Sequence, residues 1–205
     1  MGLTSLTHKE GVIVQVWHSK GGTGKTTVAT SLAIALSKSW GRTLYVEVGP
    51  VPVGVKILGV EADGKVHEGR GDVLAVYLED DSQLPQLLEK VGNDVMAVVV
   101  DYPPCIKPGE GGLLVPVADW LSASTLEKTK AKVAVLNKDR GFEFKLTTAS
   151  EVVKLPFSYA VERAVAEYVP PVLVRPASPE HKQFVEGIRR LADRVIELAG
   201  LKRGP

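Results

Sequence analysis

Short, near-continuous apolar runs alternate along this chain with segments whose apolar residues recur every three to four positions. The runs at Gly11–Trp17, Thr43–Val48, Val73–Leu78, Asp94–Val100, Leu113–Val117 and Lys132–Leu136 are rich in β-branched residues and predict strands covered on both faces. Val172–Val174 predicts a further short strand. Helical spacing marks Lys25–Trp40, where Val28, Leu32 and Leu36 share a face with the small Ala29, Ala33 and Ala35, suited to close packing on a sheet. Gln83–Val91, Val161–Tyr168 and Glu180–Ala199 read as helices too. Strands alternating with helices predict an α/β fold: a doubly wound, mainly parallel sheet with helices on both faces. Residues 49–72 are rich in Gly and Pro and give no regular pattern beyond Asp63-Gly64, a dipeptide suited to a hairpin turn. Residues 1–10 read as a flexible polar N-terminus, and the absence of repeats or a long linker makes 11–205 a single domain.

Composition narrows the class. A net charge of +1 over 205 residues argues against a chain that coats polyanions as a whole, while leaving room for a local basic patch. One cysteine, Cys105, precludes an internal disulfide, and with no secretory signal the expected location is the cytoplasm. The apolar runs are too short to span a bilayer. His8, His18, His67 and His181 lack metal-ligand spacing, and His18 reads as a packed loop residue.

The sharpest signal is Gly21-Gly22-Thr23-Gly24-Lys25-Thr26, set between a predicted strand and a predicted helix. Its first glycine departs from the spacing G-x-x-x-x-G-K-[ST], which would place that residue at Ser19. Glycines at 21, 22 and 24 let backbone N–H groups turn toward phosphate oxygens, and the helix N-terminus adds its positive end. Lys25 is the expected partner of the β- and γ-phosphates and Thr26 of Mg²⁺. ATP with Mg²⁺ is therefore the expected ligand, held by Lys20–Thr27.

Lys20, ahead of the glycines in Lys20-Gly-Gly-Thr-Gly-Lys25-Thr26-Thr27, resembles the deviant Walker A loop of the MinD/ParA ATPases, relatives of the nitrogenase iron protein. The resemblance implies a P-loop NTPase fold, a nucleotide-dependent homodimer, and a Lys20 that reaches the partner's nucleotide. Val95–Pro104 resembles the family's Walker B and switch II segment, which implies that Asp101 assists in holding Mg²⁺. Val133–Lys138 resembles the strand whose asparagine, here Asn137, reads the adenine ring. Leu155-Pro156-Phe157-Ser158, followed by Val161-Glu162-Arg163-Ala164, resembles the segment that closes the base pocket at Pro156.

One position departs from the family. Asp-x-Asp usually follows the second strand, and the second Asp helps to position the attacking water; here those places fall on Glu47 and Gly49. Glu47 is the candidate substitute for the missing carboxylate, beside Lys20 and Lys25 as catalytic groups. Phosphoryl transfer depends on positioning and charge stabilisation, so this loss predicts weak hydrolysis with binding intact. The functional expectation is an ATP-dependent dimerisation switch in DNA partitioning or cellular positioning; the alternative is a regulatory or scaffold protein that has lost hydrolysis. A single cysteine disfavours an iron–sulfur cluster. The final helix carries Phe184, Ile188, Leu191, Val195 and Leu198 on one stripe with Arg189, Arg190 and Arg194 off it. That pattern suits packing on the sheet first, DNA next, and a membrane least, because acids interrupt the basic face.

Overall fold

The structure, a computed structural model, describes residues 11–126, 130–141 and 149–201. The 1–10 expectation lies outside the described residues. Among the described residues, eight strands form one sheet in the order β3-β4-β2-β5-β1-β6-β7-β8. These are β1 (Val12–Trp17), β2 (Thr43–Val48), β3 (His67–Gly69), β4 (Val73–Leu78), β5 (Ala97–Asp101), β6 (Leu113–Asp119), β7 (Ala131–Asp139) and β8 (Ala149–Pro156). All neighbours run parallel except β3, which pairs antiparallel with β4.

The helices are α1 (Lys25–Ser39), α2 (Gly54–Ile57), α3 (Leu84–Val91), α4 (Ala123–Leu126), α5 (Tyr159–Ala166) and α6 (Pro179–Leu198). The period-2 alternation of the strands divides the core. Val12, Val14 and Val16 join Tyr45, Ala97 and Val99 in packing with α1 and α6. Ile13, Leu44, Val46, Val98 and Val100 pack with α3 on the other face. Each central strand is thus apolar on both sides, which is why its sequence reads as an unbroken run.

Two expectations change. Pro171–Leu173 is a turn of 3-10 helix, not a strand. Pro171 has no N–H for a ladder, and Val172 and Leu173 instead pack against the core beside α1 and α6. Asp63-Gly64 is a bend whose Asp63 Oδ1 accepts the Lys65 N–H. The hairpin turn falls at Arg70–Asp72, between β3 and β4, where Gly71 and Asp72 take φ of 75° and 61°. β8, for which no element was expected, is a full edge strand: Val153 and Leu155 point into the core, Lys154 faces the other side, and Glu151, exposed on the Val153 face, ion-pairs with Arg194 of α6. In the last helix Phe184, Ile188, Leu191 and Val195 are buried, so the apolar stripe is spent on packing against the sheet and α1. Among the described residues, no helix is long and apolar enough to cross a membrane.

Candidate functional site

The loop between β1 and α1 lies at the carboxyl end of the sheet, where β5 and β6 flank β1 and leave a crevice between the connections. Gly22 and Gly24 take φ of 75° and 85°, a left-handed backbone open to glycine. At Gly24 space adds a second demand: a Cβ would stand 2.1 Å from Nδ2 of Asn137. That Nδ2 donates to the Thr23 carbonyl at 2.9 Å. The loop is thus pinned from β7 and its amides are held open. A cavity of about 410 Å³ adjoins it, walled by Gly21, Gly22, Gly24 and Lys25–Thr27 on one side. Glu47–Val51, Val53, Asp101–Pro104, Lys138, Glu162 and Val165 form the rest.

Lys25 is largely buried, and its ammonium donates to the Lys20 carbonyl at 3.0 Å. Burial lowers its pKa, against the pull of Asp101. Strand alternation turns Tyr45 and Glu47 of β2, and Asp101 of β5, to the face that carries α1, with Glu47 and Asp101 in register. Asp101 is hydrogen-bonded to the Thr26 hydroxyl and accepts the Tyr45 phenol at 3.0 Å. Burial first, and then the neighbouring Glu47, push it up to about 7; Thr26, Tyr45 and Lys25 draw it down. A hydroxyl and a carboxylate joined in this way form an all-oxygen donor pair, the chemistry that suits Mg²⁺.

Glu47 is held by the loop that follows β2. Its Oε1 accepts the N–H groups of Val53 and Gly54 at 2.9 Å each, and its Oε2 accepts that of Val55 at 3.0 Å. Both oxygens brace the start of α2, while the residue still lines the cavity beside the phosphate loop. Tyr77 adds a second tie, its hydroxyl donating to the Gly49 carbonyl at 2.5 Å. Gly49 itself has φ of 138°, and a Cβ there would stand 3.2 Å from Pro103 Cγ. The loop after β2 is therefore shaped around the absence of a side chain at 49.

A match to the family model of the CobQ/CobB/MinD/ParA nucleotide-binding domain extends over residues 15–200. The chain belongs to this family. Its glycine loop, the strand β5 and the closing helix all fall inside the matched span. Among solved structures, the septum site-determining protein MinD of Pyrococcus horikoshii, complexed with Mg-ADP, is 19% identical with a TM-score of 0.72, covering 93% of this chain and 98% of its own. MinD of Aquifex aeolicus in its MinC:MinD complex is 16% identical with a TM-score of 0.65, covering 89% and 96%. McdA of Cyanothece in complex with ATP is 14% identical with a TM-score of 0.62, covering 96% and 99%. At these identities the likeness is one of fold. No curated protein matches the chain.

The family's early lysine, Lys20, lies apart from the cavity wall. Its Nζ is 3.3 Å from both carboxylate oxygens of Asp119, at the end of β6. Asp119 is fixed in turn by the Ser122 hydroxyl at 2.5 Å. His18 completes the corner: its Nδ1 accepts the Lys20 N–H at 3.0 Å, and its Nε2 lies 2.6 Å from the Thr125 hydroxyl. Asn137 is buried on the loop, and Pro156 closes β8 opposite Asp139, where the Phe157 N–H donates to the Asp139 carbonyl. Sequence reasoning passed over Tyr45, Tyr77 and Asp119, and named Lys138 and Glu162 only within longer segments, with no role of their own. For Tyr45 a signal existed: it stands two residues before Glu47, on the same face of a strand that otherwise buries aliphatic groups.

Proposed function

We propose that this chain is a MinD/ParA-like ATP-binding protein, a dimerisation switch with weak ATPase activity that acts on a DNA or protein partner in partitioning or positioning. The observation that carries the nucleotide reading is the convergence of Gly21–Thr27, Lys25 and the Thr26–Asp101 pair on one cavity. In this reading the loop amides of Gly21, Gly22, Thr23 and Gly24 hold phosphate oxygens and Lys25 neutralises them. Thr26 and Asp101 hold Mg²⁺, which supplies charge stabilisation on the phosphates. Asn137 and Pro156 flank the base. Lys20 completes a partner's site across a homodimer; its side chain is 43% exposed, so the ammonium can leave the buried Asp119 for a phosphate. The solved relatives include a MinD with MinC and an McdA with ATP, which support a protein partner and ATP as ligand.

A second reading has its own observation. Gly49 has no side chain and Glu47 is engaged by amides, so a nucleotide-binding regulator without turnover also fits this site. Glu47 is then a brace for the loop.

Calorimetry with Mg-ATP tests the shared core of both readings. Wild type binds and Lys25→Ala does not; binding by Lys25→Ala at wild-type strength refutes the site. Phosphate release under saturating ATP separates the switch from the regulator.

A further inference from the structure

The strand β7 breaks its own alternation beside the phosphate loop. Its register with β8 shifts between Leu136 and Asp139, and Lys138 takes φ of 57°, a left-handed backbone that a lysine adopts at a cost. In a regular strand Asn137 and Lys138 would point to opposite faces. Here both lie against the same loop residue: a Cβ built on Gly24 would stand 2.1 Å from Asn137 Nδ2 and 3.8 Å from Lys138 Cε. Non-glycine strain of this kind costs about 1–3 kcal/mol and is retained where a site demands it. Lys138 lines the cavity of Gly21–Thr27, as does its ion-pair partner. That partner is Glu162 of α5, whose two oxygens lie 3.1 and 3.2 Å from the ammonium. The pair is partly solvated on both sides, with side chains 27% and 46% exposed, so it holds Lys138 weakly.

Resting on the reading of this cavity as a nucleotide site, we propose that Lys138 is a third cation of the site, binding the phosphate chain of a nucleoside di- or triphosphate, and that Glu162 is its competing counter-ion. The bulge serves to aim the lysine. Asn137 pins the loop from one side while Lys138, the next residue, delivers a positive charge to the same loop. The phosphate chain and Glu162 compete for one ammonium, so the acid on α5 lowers the affinity that the lysine confers.

Calorimetric titration with Mg-ADP and Mg-ATP tests the assignment on the full chain. Lys138→Met keeps the aliphatic stem and removes the charge; it weakens both nucleotides by about tenfold, the loss of one hydrogen bond to a charged group. Lys138→Gly accepts the left-handed backbone without strain, so it melts no lower than wild type, yet it binds as weakly as Lys138→Met. Glu162→Gln binds about twofold to fivefold tighter, and an unchanged affinity removes Glu162 as the competing counter-ion. Wild-type affinity in Lys138→Met overturns the proposal, including the case in which Lys138→Gly alone is weakened and the stem is what matters. A Glu162→Gln variant as weak as Lys138→Met also overturns it, since the pair would then be a brace between β7 and α5. Wild type that binds neither nucleotide refutes the nucleotide reading itself, and this proposal with it.

Discussion

Gly49 packs on Pro103: a Cβ at 49 would stand 3.2 and 3.3 Å from the proline's Cγ and Cβ, on a backbone with φ of 138°. An aspartate here meets both the left-handed backbone and the proline wall. Gly49→Asp is expected to lower stability by about 1–3 kcal/mol and to leave phosphate release no faster than in wild type. Thermal melting and a phosphate-release assay read the two effects. A rise in turnover at unchanged melting temperature would show that the loop after β2 tolerates the family's carboxylate.

Glu47 and the amides of Val53, Gly54 and Val55 give the second expectation. In Glu47→Gln one acceptor becomes an N–H₂ group facing a buried N–H. The cost is about 2 kcal/mol, a drop of several degrees in melting temperature, with Mg-ATP binding reduced only as far as the loop loosens. Loss of turnover with no change in melting would instead assign Glu47 to the attacking water.

Lys20 tests the switch. With a slowly hydrolysed ATP analogue, light scattering should report a mass near two chains for wild type. Lys20→Ala should stay at one chain while calorimetry still finds nucleotide bound, because Lys25, not Lys20, lines the cavity. Wild type that remains a single chain at saturating analogue counts against the dimer.

His18 predicts a pH dependence. The ring is 3% exposed, and burial first, then the Lys25 charge, hold its pKa below the ordinary 6.5. The folded chain therefore binds fewer protons than the unfolded one near and below pH 6.5. The stabilisation is present above that value and is lost as pH falls through the lower, folded one. Protonation also removes the acceptor of the Lys20 N–H. Asp101, pushed up to about 7, takes up a proton on folding and works in the opposite sense over the same range, so the His18 part is read by difference: from pH 7 to pH 5 the melting temperature of His18→Gln should fall less, or rise more, than that of wild type. Equal slopes in the two proteins would remove His18 as the source.

The sequence by itself determined the frame: the buried strands, α1 with its small-residue face, and the glycine loop that joins β1 to α1. Those features are encoded locally, by period, by β-branching and by glycines, within a stretch of residues that need no distant partner. It also marked Lys20, Lys25, Thr26 and Asp101, because strand ends and loop positions follow from the same local pattern. Tertiary structure alone decided who touches whom. Asp119 reaches Lys20 across 99 residues, and Asn137 reaches Thr23 across 114. The edge strand β8 has only half an apolar face, and its period-2 signal is cut short by Pro156. Glu47 reads as a free acid in the sequence; the chain turn at 53–55 folds three amides onto it. The bulge that aims Lys138 depends on how β7 meets β8. Each of these rests on sheet order and register, which fix contacts between segments far apart in the chain and leave no trace in the residues between them.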